Sequence, residues 1–190
     1  SIIDTGIDWT HEDLVHNIWQ NLQEDADGDG HTIEFDSNLG RWVLDPGDLN
    51  GIDDDDWDND PTSYIDDLIG WDFVNNDNDP FDDNGHGTHV AGIIGAEGNN
   101  GLGISGIAWN ASLMALKGLD SMGTGRTSDL VGAINYSIQH GVSVSNFSWS
   151  RFNSYNQVLF DAMVACGNAG QLIVAAAGNS FRGENQNTMN

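Results

Sequence analysis

Apolar positions fall along this chain in two regular stretches separated by a long polar interval. Ser1-Ile2-Ile3 reads as the tail of a buried strand ending at Asp4-Thr5-Gly6. His11 to Trp19 predicts a short helix, with Thr10 as its cap and Glu12 and Asp13 in its first turn. From Glu24 to Asp83 aliphatic residues thin out and most of the acids gather, a composition too polar to fold on its own apolar burial. Two short pieces inside it predict strands, Ile33-Glu34-Phe35 and Gly70 to Val74. After Asp83 the pattern is regular again. Val90 to Ala96 is small and helical, and Leu113-Met114-Ala115-Leu116 predicts a buried strand. Ser128 to His140 places Leu130, Ile134, Tyr136 and Ile138 at near-helical spacing before Gly141 ends it. Val142 to Phe147 predicts a strand, Tyr155 to Ala169 a helix closed by Gly170, and Leu172 to Ala176 a fully buried strand.

Strands alternating with helices imply right-handed crossovers. The expected fold is therefore α/β, a three-layer sandwich around a mainly parallel, doubly wound sheet with helices on both faces. Residues 1–190 form one domain carrying an acid-rich insert at about 24–83. It is expected to be truncated at both ends, because residue 1 opens inside a strand and 183–190 complete no element. In such folds function sits at the carboxyl ends of the strands. Three polar features fall there: Asp4, the segment Asn146 to Ser150, and Gly178-Asn179.

Charge narrows the partners. The formal net charge is -25, with five Lys and Arg in 190 residues. So acidic a surface repels phosphate, which excludes nucleic acid and anionic membranes as natural partners and favours cations. No apolar run is long enough to cross a bilayer. The single cysteine, Cys166, lies in an apolar helical stretch and reads as a buried small hydrophobe.

Asn84-Gly85-His86-Gly87-Thr88-His89-Val90-Ala91-Gly92 puts a histidine at the mouth of a helix, among residues small enough for another backbone to approach. A carboxylate at the end of a buried strand, as Asp4 is, needs a partner to stay charged. An imidazole suits, because the acid then fixes its tautomer. Asn179, at another strand end, offers a neutral amide donor of the kind that stabilises an oxyanion.

On these residues the chain resembles the subtilisin-like serine peptidases. Ser1 to Asp8 is similar to the family's aspartate motif, Asn84 to Gly92 to its histidine motif, and Val174 to Asn179 to its oxyanion-asparagine strand. The resemblance implies a serine endopeptidase acting by acyl transfer. In it Asp4 orients the base, His86 is general base and acid, Asn179 donates to the oxyanion, and His89 is structural. A zinc reading of His86 and His89 is weak because the Glu of a His-Glu-x-x-His motif is absent. His11, His16, His31 and His140 are expected at the surface. The resemblance also makes Asn146, Phe147, Ser148, Trp149 and Ser150 the strand that binds an extended peptide. The family's Ser-Leu-Gly-Gly is here Ser148-Trp149-Ser150-Arg151, so specificity cannot be inherited. The nucleophile's Gly-Thr-Ser-x-Ala motif does not occur, and the expectation is that it lies beyond Asn190 and that this piece alone is inert.

The insert contains Asp25-Ala26-Asp27-Gly28-Asp29-Gly30, followed by Asp36 at the twelfth place. These acids fit a calcium-loop template, with Asp36 where a Glu is usual. A solvated acidic loop fits the same residues. Asp53 to Asp56 with Asp58 and Asp60 is a denser run with poorer spacing, and reads as hydrated loop. Family resemblance adds Asp13 and Asn100 as calcium positions. Structural calcium, peptide substrates, a monomeric state and an extracellular location are thus expected. A non-catalytic calcium-binding scaffold on the same fold is the alternative.

Overall fold

The structure, a computed structural model, describes residues 1–55, 63–150 and 155–179. Five parallel strands form the sheet: β1 (Ile2–Asp4), β4 (Gly70–Asp72), β5 (Ala115–Lys117), β6 (Val144–Phe147) and β7 (Leu172–Ala175), in the order β4-β5-β1-β6-β7. A separate antiparallel hairpin joins β2 (Ile33–Asp36) to β3 (Arg41–Leu44). The helices are α1 (His86–Gly95), α2 (Thr127–Gln139) and α3 (Gln157–Asn168).

Successive side chains on a strand point to opposite faces, and the core follows that rule. Ile2 and Ala115 face one cluster, with Ala91 and Ala96 of the α1 region, Leu113 and Ile69. Ile3 and Leu116 face the other, with Leu130, Ala133 and Ile134 of α2 and Leu159 and Ala162 of α3. Helices thus cover both faces, and the fold is the three-layer α/β sandwich expected. β1, short as it is, lies in the middle of the sheet with Ile3 and Asp4 at 0% exposure. Its register with β5 sets Asp4 opposite Lys117.

Two expectations differ from what is found. His11 to Trp19 is a series of turns with one 3-10 turn at Val15–Asn17. Its backbone is drawn into tertiary bonds instead of helical ones: Asp13 O accepts from Glu97 N–H, and Trp19 N–H donates to Leu113 O. β7 is not fully buried, since Leu172 is 61% and Val174 48% exposed. It bonds β6 on one side and, among the described residues, is the sheet's outer strand on the other. Position 70 needs glycine on two counts: its φ is +125°, and a Cβ there would stand 2.0 Å from Ala115 O.

Candidate active site

Asp4, the last residue of β1, is fully buried. Its Oδ1 accepts from the Thr5 N–H at 2.8 Å and meets His86 Nδ1 at 2.7 Å. A carboxylate can only accept, so the ring proton sits on Nδ1 and Nε2 is the basic atom. His86 opens α1, and its side chain is 48% exposed against 0% for Asp4. A buried acid therefore aims a ring whose other edge reaches solvent.

The helix mouth is fixed by capping its free amides. His86 N–H donates to Asn84 Oδ1, Gly87 N–H to Thr5 Oγ1, and Thr88 N–H to Asp82 Oδ2. Asp82 also accepts from Gly85 N–H, Asn84 N–H, and the hydroxyls of Thr5 and Thr88. Burial alone would raise its pKa, but the bonds from Thr88, Gly85 and Asn84 outweigh burial and hold it below the usual carboxylate range. Thr5 thus ties the aspartate turn to the helix that carries His86. Contact is close: a Cβ on Gly87 would lie 2.0 Å from Gly6 O and 3.2 Å from the Asp4 Cβ.

Lys117 completes the support. It is 1% exposed, and its ammonium donates to Thr5 O at 2.7 Å and Asp83 Oδ1 at 2.6 Å. Neither Asp82 nor Lys117 was expected from sequence. For Lys117 the signal was a single cation closing an apolar strand. For Asp82 there was none, because it stands in a run of acids.

The remaining predicted residues fall at the same end of the sheet with differing availability. Asn146 and Phe147 belong to β6, which is hydrogen-bonded on both sides. Asn146 N–H donates to Ser1 O, and Phe147 O accepts from Ala176 N–H. Phe147 is 0% exposed and stacks on Trp149 with ring centroids 5.4 Å apart. Its side chain is core and cannot touch a peptide. Ser148, Trp149 and Ser150 lie past the strand, with Ser148 held by Asn146 Nδ2 and the Trp149 indole pinned to Ile3 O at 2.9 Å. Arg151 lies outside the described residues. Asn179 is exposed, follows β7, and is preceded by Gly178 at φ +88°. His89 is exposed on α1. His140 is not a surface residue as expected: its side chain is 6% exposed and its ring stacks on Tyr136 at 4.0 Å.

In the insert, Asp25, Asp27 and Asp29 bring carboxylate oxygens within 4.8 Å of one another. Asp36 does not join them. It ends β2, and its Oδ1 caps the hairpin turn by accepting from Asn38 N–H and Leu39 N–H. The hairpin starting at Ile33 carries the twelfth loop position away. Asp48 Oδ1 instead accepts from the Ala26 and Asp27 N–H groups and so holds the loop's backbone. Asp29, His31 and Asp45 form a second group of convergent ligand atoms, and Asp48 Oδ2 is buried without a partner. Burial, then the neighbouring charges of Asp45 and Asp25, push Asp48 above the usual carboxylate range against its bonds from Asp27 and Ala26. The carboxylates of Asp25, Asp27 and Asp29 alone are an all-oxygen donor set, and such a set fits calcium. Asp13 and Asn100 do meet, but through the Asn100 amide nitrogen at 2.7 Å, while Asp13 Oδ2 accepts from Ile104 N–H. A cation there requires the Asn100 amide turned to present its oxygen. Asp56, Asp58 and Asp60 lie outside the described residues.

Comparison with known proteins agrees with this geometry. The description "Subtilase family" matches residues 1–190. Subtilisin-like protease 1 of Plasmodium vivax is 36% identical over 178 residues, 94% of this chain and 24% of that protein. Minor extracellular protease Epr of Bacillus subtilis is 46% identical over 103 residues, 54% of this chain and 16% of that protein. The crystal structure of a cold adapted subtilisin-like serine proteinase superposes with a TM-score of 0.61 at 26% identity, over 94% of this chain and 45% of that one. The chain spans about a quarter of the length of the first of these relatives. A buried aspartate aiming a helix-mouth histidine across a parallel sheet, with these matches along its whole length, makes this chain a member of the subtilase family.

Proposed function

We propose that this chain is part of the catalytic domain of a serine endopeptidase. The observation that carries the reading is the 2.7 Å contact between buried Asp4 and half-exposed His86. His86 Nε2 takes the proton of a serine hydroxyl as that oxygen attacks the scissile carbonyl. Asp4 stabilises the imidazolium formed, and the Asn179 amide donates to the oxyanion. His86 then returns the proton to the leaving amine. Water hydrolyses the acyl-enzyme by the same steps. The serine is supplied by sequence outside these 190 residues. The backbone of Ser148 to Ser150, which makes no strand pairing among the described residues, receives an extended peptide, and the Trp149 indole, bonded to Ile3 O, stands beside it.

The 190-residue chain should therefore show no turnover of a peptide substrate. The natural protein that contains it should hydrolyse peptides and be blocked by a serine-directed phosphonate. Turnover by the short chain, or phosphonate-resistant turnover by the long one, contradicts the reading. A full-length protein without a Gly-Thr-Ser motif would favour a calcium-binding scaffold instead. An extracellular, monomeric enzyme is proposed with it; the extracellular part is supported by the similarity to a relative named as extracellular, and the acidic surface is compatible with it.

Calcium is proposed as a structural ion in the loop of Asp25, Asp27 and Asp29, whose carboxylate oxygens converge. It would offset the repulsion among those carboxylates and stabilise the folded chain alone. Chelation should lower the melting temperature of the 190-residue chain by about 5–10 °C. An unchanged melting temperature counts against bound calcium.

A further inference from the structure

A buried cation stands beside the aspartate of the pair. Lys117 ends β5, and its register partners are Asp4 of β1 on one side and Asp72 of β4 on the other. In-register neighbours on parallel strands point to the same face. Ile2 and Ala115, two residues earlier on their strands, pack in the cluster that holds Ala91 of α1. Asp4, Lys117 and Asp72 therefore form one row, acid, cation, acid, on the face that carries His86. All three are buried, Asp4 at 0% and the other two at 1% exposure.

Among the described residues, the ammonium bonds neither acid of its row. It reaches past them to Thr5 O and to Asp83 Oδ1. Those two atoms belong to the two segments that must meet. Thr5 follows Asp4 and gives its N–H to Asp4 Oδ1, while Asp83 stands three residues before His86. One ammonium thus pins the aspartate turn to the loop that leads into α1. Its charge acts as well. Asp4 Oδ2 is buried and accepts no hydrogen bond among the described residues. A buried carboxylate left short of donors needs opposite charge nearby, and a fixed cation on the next strand supplies it. The same charge reaches Asp72 from the other side. Burial pushes Asp72 above the usual carboxylate range, opposed by its bonds from Asn75 and Val74 and by the charge of Lys117.

We propose that Lys117 is a positioning residue for the catalytic pair, holding the Thr5 turn against the Asp83 loop so that Asp4 meets His86. The proposal rests on the serine-peptidase reading above. Lys117 is buried and acts through Thr5 and Asp83, without touching the reacting atoms.

The test compares Lys117→Met, similar in length but uncharged, with Lys117→Arg in the natural protein that contains this chain. Asp83, with 49% of its side chain exposed, can turn to water once the ammonium is gone. Lys117→Met should lower kcat by about 10–100-fold with KM little changed, because the base is misplaced while the peptide's own contacts remain. Lys117→Arg keeps the charge and the donors and should recover part of the loss. The second readout is the far-downfield proton resonance of His86 Nδ1–H, which reports its bond to Asp4 and needs no turnover. It should disappear or move upfield in Lys117→Met and persist in Lys117→Arg. Leu130→Ala, a cavity in the opposite core cluster, should lower the melting temperature and leave that resonance in place. A parent that hydrolyses no peptide would defeat the serine-peptidase reading alone, and the resonance would still decide whether Lys117 holds the pair. Parent-like kcat and resonance in Lys117→Met overturn the proposal, as does a rise in KM with kcat unchanged. Should Lys117→Met not fold, Asp83→Asn decides, since it loosens the same tie from the exposed side. A lowered kcat with a displaced resonance supports the proposal, and parent-like values of both overturn it.

Discussion

Gly87→Ala is expected to unseat helix α1 from strand β1 and with it His86 from Asp4. The new methyl would stand 2.0 Å from Gly6 O, and contacts below 3.0 Å essentially never occur. The atom it meets is backbone, in a turn whose own glycine has φ +104° and lies against Pro80 O and Phe81 O, so that turn cannot retreat. The helix must move instead, by about 1 Å. Its amides at Gly87 and Thr88 would then lose their bonds to Thr5 and Asp82. Overpacking of this kind costs about 3 kcal/mol. For a chain of this length that is a fall of roughly 6–12 °C in melting temperature. In the peptidase-competent protein, misplacing the base by 1 Å should lower turnover by about 100-fold or more. Thermal melts of the 190-residue chain and kinetics of the longer protein check the two halves. A variant with unchanged melting and turnover would show that the helix and strand are not in the contact described.

The sheet and its helices were legible because they follow local rules. Ile2-Ile3, Leu113 to Leu116 and the spaced apolar residues of α2 carry their periods in the sequence. The pair Asp4 and His86 was legible through motif, and the structure places their atoms in contact. What was not legible depends on tertiary bonds. Asp13 gives its carbonyl to Glu97, so the helix expected at His11 to Trp19 does not form. Asp36 satisfies the calcium-loop spacing but is turned away by the β2–β3 pairing, which no local signal announced. Glu24 shows the same limit. It reads as the first acid of a polar stretch, yet it is fully buried against Asp53 and Asp55. Phe147 lay in the expected substrate strand, and only its 0% exposure in the cluster with Leu130, Ile134 and Leu159 shows that it belongs to the core.

His86→Ala should be the most damaging substitution for turnover. In the proposed mechanism the ring is the base that Asp4 aims, and its loss leaves the serine proton without an acceptor. His89 is exposed on α1, and no aspartate orients it among the described residues. Because the His86 side chain is half-exposed, its removal should leave the fold intact while abolishing proton transfer from the serine. Loss of the base in such a triad costs about 10⁶ in kcat. The direct test is peptide hydrolysis by the natural protein that contains this chain, with and without His86→Ala. A fall of about 10⁶ in kcat, with the melting temperature nearly unchanged, is the predicted result. Hydrolysis at an undiminished rate in the His86→Ala protein would contradict the assignment of Asp4 and His86 as the catalytic pair.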